Sequence, residues 1–250
     1  MNILVVNDDG IQADGIKALA RALSEVADVY VCAPSGQRSA KSHAITLNAD
    51  VLVEEVDFPY AKKAYSVDGT PADCTKIGLQ FGGADGKPID MVFSGINHGS
   101  NLGLDTVYSG TVGAAMEAAI DHVHAVSVSV DNHKAVHFEY ACKLAVKMID
   151  FVYGKLSTDT VIDINTPDLP PEKIKGVRVT KLGPRYYDDG FRSEDGKNYR
   201  LTGNPPVDFD ADADTDVIAA RDCYASITPL RFDYTDREKV EKIKEWDLKI

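Results

Sequence analysis

The chain has 250 residues, 44% of them apolar and 26% charged, enough for one sizeable core and ordinary for a soluble globular protein. Its net charge of −12 argues against a nucleic-acid duplex or an anionic membrane as the main partner, because both are bound through basic patches. A small phosphate ligand stays open, since a bound dication can invert the field around it.

Strand and helix patterns alternate through the first two-thirds of the chain. The β-branched run Ile3-Leu4-Val5-Val6 predicts a buried strand, and it ends on Asn7-Asp8-Asp9-Gly10-Ile11. Ile16, Leu19, Ala20, Leu23 and Val26 recur at helical spacing, and Val29–Ala33 predicts the next strand, closed by Pro34-Ser35-Gly36. Short strands are expected over about 44–68. A helix follows Thr70-Pro71, where proline suits a first turn, and runs to Gly82. Ile89–Phe93 predicts a strand leading into a long Gly/Asn-rich loop, 94–110. A helix of small residues then runs from Thr111 to Ile120. Beyond it come the strand Ala125–Val130, a helix over about 135–153, and the strand Val161–Asn165. This alternation implies a mostly parallel sheet with helices on both faces. From about 175 the pattern changes: Val177–Leu182, Tyr199–Thr202 and Tyr224–Ile227 predict an antiparallel hairpin extension, with a polar connection from Tyr186 to Asn198. Val240, Ile243 and Trp246 share one face of a short final helix, which can dock on its own core or on another subunit.

Cys32, Cys74, Cys142 and Cys223 are far apart and form no C-x-x-C pair, as expected of reduced thiols. No basic n-region precedes the first apolar run, and no stretch approaches the ~18 apolar residues of a membrane span. The expectation is a cytoplasmic protein with no membrane contact.

Three loops follow predicted parallel strands: Asn7–Gly10, Gly36–Ala40 and Ser94–Gly103. If those strands are neighbours, the loops converge outside the carboxyl edge of the sheet, where such folds bind ligands. They offer two carboxylates, a hydroxyl and an amide carbonyl, an all-oxygen set that selects a hard cation. In Tyr108-Ser109-Gly110-Thr111-Val112, hydroxyl residues open a helix whose N-terminal amides are a seat for phosphate. Ser109 is equally an ordinary N-cap. The acidic run Asp208, Asp210, Asp212, Asp214 and Asp216 lacks the Gly and Glu that a calcium loop needs, and is expected to be a solvated loop.

Taken together, Asn7–Ile11, Arg38-Ser39, Val67–Cys74, Ser94–Asn97 through Asn101-Leu102-Gly103, and Tyr108–Val112 resemble the SurE family of metal-dependent nucleotidases. Asn165-Thr166-Pro167, Thr215–Val217 and Ser226–Leu230 resemble later segments of the same family, so the likeness is collinear over nearly the whole chain. It implies a three-layer, Rossmann-like α/β domain spanning residues 1–250. Its core would cover about 1–170 and a hairpin and C-terminal self-association region about 175–250, giving a homodimer or homotetramer. It also implies one divalent metal ion, Mg²⁺ or Mn²⁺ with Ca²⁺ as an option, held by Asp8, Asp9, Ser39 and Asn97. Asp8, Asp9 and Asn97 would be the catalytic residues, and Asn101, Ser109, Gly110 and Thr111 would contact the substrate.

The implied reaction is hydrolysis of nucleoside 5′-monophosphates, with 3′-monophosphates as a further option, by a metal-activated water. Two alternatives accompany it: a non-catalytic nucleotide-sensing module, and a phosphatase of broader range that includes polyphosphate. Asp14 and Lys41-Ser42-His43 depart from the family pattern, and the latter puts nucleotide preference in doubt. His43 is expected to be a loop bystander. His98 is expected to be one too, with protonation of the leaving alkoxide as its alternative.

Overall fold

The computed structural model describes residues 1–83, 86–203 and 211–247. Strands β1 (Asn2–Val6), β2 (Asp28–Pro34), β4 (Lys63–Val67), β5 (Met91–His98), β6 (His124–Val130) and β7 (Thr160–Thr166) are mutually parallel. The sheet is completed by β3 (Val53–Glu55), antiparallel to β4, β11 (Ala225–Arg231), antiparallel to β7, and β8 (Val177–Val179), parallel to β11. The strand order is β3-β4-β2-β1-β5-β6-β7-β11-β8. Connections run outward in opposite directions from β1 and β5, so the crevice at their carboxyl ends is the topological switch point.

Helices cover both faces. On one lie α1 (Asp14–Ser24) and α5 (Glu139–Val152), burying Ile16, Leu19, Leu23, Leu144 and Met148 against Ile3, Val5, Val31, Phe93 and Val128. On the other lie α2 (Pro71–Phe81) and α4 (Gly110–Ile120), packed on Leu4, Val6, Cys32 and Val92. Thr70 and Asp73 form a reciprocal capping box that starts α2, with Pro71 in its first turn. Every residue from Gly110 to Ala119 is buried, so the small side chains expected for this helix serve close packing on all sides. Gly15 is the tightest such contact: a Cβ there would lie 2.0 Å from the Ile96 carbonyl oxygen.

The expected elements are present with four differences. First, β5 runs five residues past Phe93, through what reads as loop. At Gly95 (φ +140°) a Cβ would lie 2.2 Å from the Val128 carbonyl oxygen; the register shifts there and pairing resumes at Asn97–Ser129. Second, the remaining loop holds a short helix, α3 (Asp105–Tyr108). Third, β8 and β11 join the main sheet, and the hairpin is β9 (Asp189–Arg192) with β10 (Arg200–Gly203), β9 lying inside the expected polar connection. Fourth, Asp216 is completely buried at the start of α6 (Asp216–Arg221) and leaves the acidic run expected to be solvated; Asp208 and Asp210 lie outside the described residues. The last helix, α7 (Arg237–Lys244), buries none of its residues, and Trp246 just beyond it is 58% exposed, so the apolar stripe is not docked on the chain's own core. Among the described residues no helix is long and apolar enough to cross a membrane.

The Gly15 contact yields the first test. Gly15→Ala must push α1 off β5, and overpacking of this kind costs about 1–3 kcal/mol. The expected result is a lowered urea-unfolding midpoint with an unchanged slope.

Candidate active site

The turn after β1 is built by Asn7, whose side-chain amide donates to the Gly10 carbonyl (2.9 Å) while its oxygen accepts the Gly10 N–H (3.2 Å). Gly10 has φ +100°, and a Cβ on it would lie 3.0 Å from the Gly36 carbonyl carbon. The Arg38 N–H donates to the Asp8 carbonyl at 2.7 Å, locking the second loop against the first. The third loop closes from the other side, where the His98 N–H donates to Asp9 Oδ2 at 2.9 Å.

Asp8 is only 3% exposed. Its Oδ1 accepts the Thr111 hydroxyl at 2.7 Å, and a Cβ on Gly110 would lie 3.1 Å from its Oδ2. The carboxylate thus sits directly on the N-terminus of α4. Burial pushes its pKa up to about 6; the Thr111 hydroxyl pulls it down, and neighbouring Asp9 adds to the rise. Asp9 Oδ2 also lies 3.0 Å from His98 Nδ1, and the His98 ring packs edge-on against Phe138 at 5.3 Å between centroids. His98 thus holds Asp9 through both its backbone and its ring. Asn97, 9% exposed, donates its side-chain nitrogen to the Gly99 carbonyl (2.8 Å), which fixes the orientation of its amide oxygen.

Asp8 and Asp9 are neighbours at the end of β1, and Asn97 precedes His98, whose N–H and ring both reach Asp9. Ser39 is on the adjoining loop and exposed, and its hydroxyl accepts from the Gln37 amide at 3.1 Å. Among the described residues no lysine or arginine pairs with Asp8 or Asp9, and no group of three His, Cys, Asp or Glu is arranged to hold a metal. What the site presents is two adjacent carboxylates, Asp8 buried and Asp9 partly open. A hard dication accepts that donor set, and its charge would stabilise a buried Asp8 carboxylate that lacks a cationic neighbour.

The residues expected to face substrate are held more firmly than the sequence implies. Ser109 caps α4 by accepting the Val112 N–H (3.1 Å), and the fully buried Thr111 commits its hydroxyl to Asp8. Asn101, 5% exposed, donates its backbone N–H to Asn165 Oδ1 (2.7 Å) and its side-chain amide to the Ser129 hydroxyl (2.8 Å). Asn165 in turn donates to Asp163 Oδ2 (2.7 Å), and Ser127 donates to Asp163 Oδ1 (2.6 Å). This buried polar row was missed from sequence, although a signal existed. Ser127 and Ser129 alternate with valines, Asp163 and Asn165 with isoleucines, and the register sets Ser127 beside Asp163 and Ser129 beside Asn165.

His43 lies apart from the acid pair. Its Nε2 is 2.5 Å from Oε2 of the buried Glu117, which also pairs with Lys76. It borders a cavity of about 110 Å³ that Ser42, Thr106, Ser109 and Arg231 also line.

The family described as Survival protein SurE matches residues 3–189. The chain is 42% identical over 250 residues to the 5′-nucleotidase SurE of Pelotomaculum thermopropionicum, covering 98% of this chain and 95% of that protein. It is 41% identical over 253 residues to the 5′-nucleotidase SurE of Alkaliphilus metalliredigens, covering 99% of each. The crystal structure of the SurE protein from Aquifex aeolicus superposes with a TM-score of 0.84 at 35% identity, covering 98% of both chains.

Two tests follow from the geometry. Thr111→Val removes the side-chain donor that Asp8 has among the described residues; a hydrogen bond to a charged group contributes about 1.5–3 kcal/mol, so kcat/KM for phosphate release is expected to fall about 10- to 100-fold with the fold intact. Asp163 offers a stability test. Burial raises its pKa to about 7 from the usual 3.8. The folded state therefore binds more protons than the unfolded state across that window, and stability falls as pH rises from about 4 to about 7. Asp163→Asn cannot ionise, and urea midpoints measured against pH are expected to lose that decline, which amounts to about 4 kcal/mol at full effect.

Proposed function

The chain belongs to the SurE family, and on that premise we propose that it hydrolyses nucleoside 5′-monophosphates to nucleoside and phosphate with one divalent cation. The observation that carries the reading is the placement of Asp8 and Asp9 at the switch point, with the amide end of α4 pressed against the Asp8 carboxylate. The cation, Mg²⁺ or Mn²⁺ with Ca²⁺ as a further option, would be held by Asp8, Asp9, Asn97 and the hydroxyl of Ser39. When bound it offsets charge on the phosphoryl oxygens and lowers the pKa of a coordinated water.

The chain's own residues supply the rest. Thr111 and His98 hold the two carboxylates in fixed orientations, so that one of them takes the proton of the attacking water. The Gly110 and Thr111 end of α4 sets backbone dipoles toward the phosphoryl group, where equatorial charge builds in the transition state. Ser109 fixes that helix end, and Asn101 anchors the loop that closes over the substrate. Self-association through the β9–β10 hairpin belongs to the same reading, supported by the exposure of Phe191 and Leu201.

The test is phosphate release from AMP and GMP after chelation, with Mg²⁺, Mn²⁺ and Ca²⁺ added back singly. Activity is expected to vanish on chelation and return with at least one cation. Asp9→Asn is expected to abolish turnover while leaving thermal unfolding essentially unchanged. Nucleotide binding without phosphate release in the metal-loaded wild type would make the protein a sensing module instead.

A further inference from the structure

Asp216 does more than start a helix. It is completely buried, and its carboxylate accepts three backbone N–H groups from three separate stretches of chain. Val217, the next residue, donates to Oδ1 at 2.8 Å; Gly183 donates to the same oxygen at 2.7 Å; Gly103 donates to Oδ2 at 2.8 Å. The first bond would suffice to open α6. The other two reach 33 and 113 residues back along the chain.

The three stretches meet without room for side chains. A Cβ on Gly103 (φ +53°) would lie 2.4 Å from the Gly183 carbonyl oxygen, and a Cβ on Gly183 would lie 2.4 Å from Val217 Cγ2. Leu102 packs into a small apolar cluster of its own with Val217 and Ile218. Two residues past Gly103, Asp105 pairs with Arg185 (2.9 Å) and accepts the Tyr187 hydroxyl (2.5 Å). The loop from Asn101 to Ser109 is thus fastened to the sheet by Asn165 on one side. On the other it is fastened to the segment that leads into the β9–β10 hairpin.

We propose that Asp216 is a positioning residue for substrate binding, its carboxylate joining the Asn101–Ser109 loop to the 183–187 segment so that the hairpin stem sets the loop's place over the phosphate. The proposal rests on the functional reading above only in naming the phosphate as what the loop covers. The clamp itself is a property of the chain.

The experiment compares Asp216→Asn, Tyr187→Phe and, as a control, Asp212→Asn. Asparagine keeps the size of Asp216 but turns an N–H₂ toward backbone N–H donors. Asp212 is exposed, and its carboxylate pairs only with Lys181 among the described residues. Steady-state kinetics with AMP and saturating Mn²⁺ are read beside the Mn²⁺ dissociation constant and hydrogen–deuterium exchange over residues 100–109. Asp216→Asn is expected to raise KM about tenfold with kcat within about threefold, to speed exchange over 100–109, and to leave Mn²⁺ affinity unchanged. Tyr187→Phe, at an exposed position, is expected to move KM and exchange in the same direction by less, and it decides the matter if Asp216→Asn does not fold. Unchanged exchange over 100–109, a fall in kcat without a change in KM, or an equal effect from Asp212→Asn overturns the proposal. If the wild type releases no phosphate from any nucleoside monophosphate, the functional reading fails, and the exchange data alone uphold or overturn the clamp.

Discussion

The buried carboxylate of Asp8 is the constraint around which the remaining structure is arranged. Taking an ionised group out of water is unfavourable by several kcal/mol unless other dipoles or charges replace the water. Here the replacement is the opening turn of α4: a hydroxyl from Thr111 and the amide end of a helix buried from Gly110 to Ala119. Such a helix can approach this closely only because Gly110 has no side chain to hold it away from Asp8. The same contact explains why the first turns of α4, Gly110 to Ala115, are made of small residues. It must lie flat on the sheet and on α2 at once, and larger side chains would lift its first turn off the acid.

Asp9 is held by different means. His98 reaches it because β5 continues past the point where its composition turns to glycine and asparagine, so the ladder with β6 carries a backbone N–H and an imidazole to the carboxylate. One acid is therefore supported from the α4 face and the other from the strand edge. The difference in support matches a difference in setting, Asp8 being buried and Asp9 partly open. Beneath the loop that follows, the Ser127, Asp163, Asn165 and Asn101 row satisfies buried polar groups inside a sheet covered on both faces. Polar satisfaction of that kind gives a loop one resting place rather than several.

Much of this was legible in the residues. Parallel strands covered on both faces are mostly continuous apolar runs, and Ile3–Val6 and Val29–Ala33 announce themselves in that way. The helical spacing of Ile16, Leu19 and Leu23 follows from one buried face, and Pro71 after Thr70 marks a helix start. The two aspartates at the end of the first strand point to the crevice by their place at a strand's carboxyl end. What stayed hidden depends on partners far along the chain. Thr111 is 103 residues from Asp8 and His98 is 89 from Asp9, and no local pattern reports such pairs. Ser94–His98 has the composition of a loop and is kept extended by β6 alongside it. β9 carries no alternating apolar signal because all four of its residues are exposed. Asp216 looked like one more member of an acidic run, and only the arrival of Gly103 and Gly183 makes it a buried acceptor.

Among the described residues the β9–β10 hairpin pairs with no other strand, and its apolar side chains Phe191, Tyr199 and Leu201 are more than half exposed. An isolated two-stranded ribbon is at best marginally stable in water. Its fold is then conditional on a surface to lie upon, and its stem ends at Arg185 and Tyr187, both bonded to Asp105 in the loop beside the acids. Whatever settles or unsettles that ribbon pulls on a short, nearly inextensible tether whose far end is the Asn101–Ser109 loop.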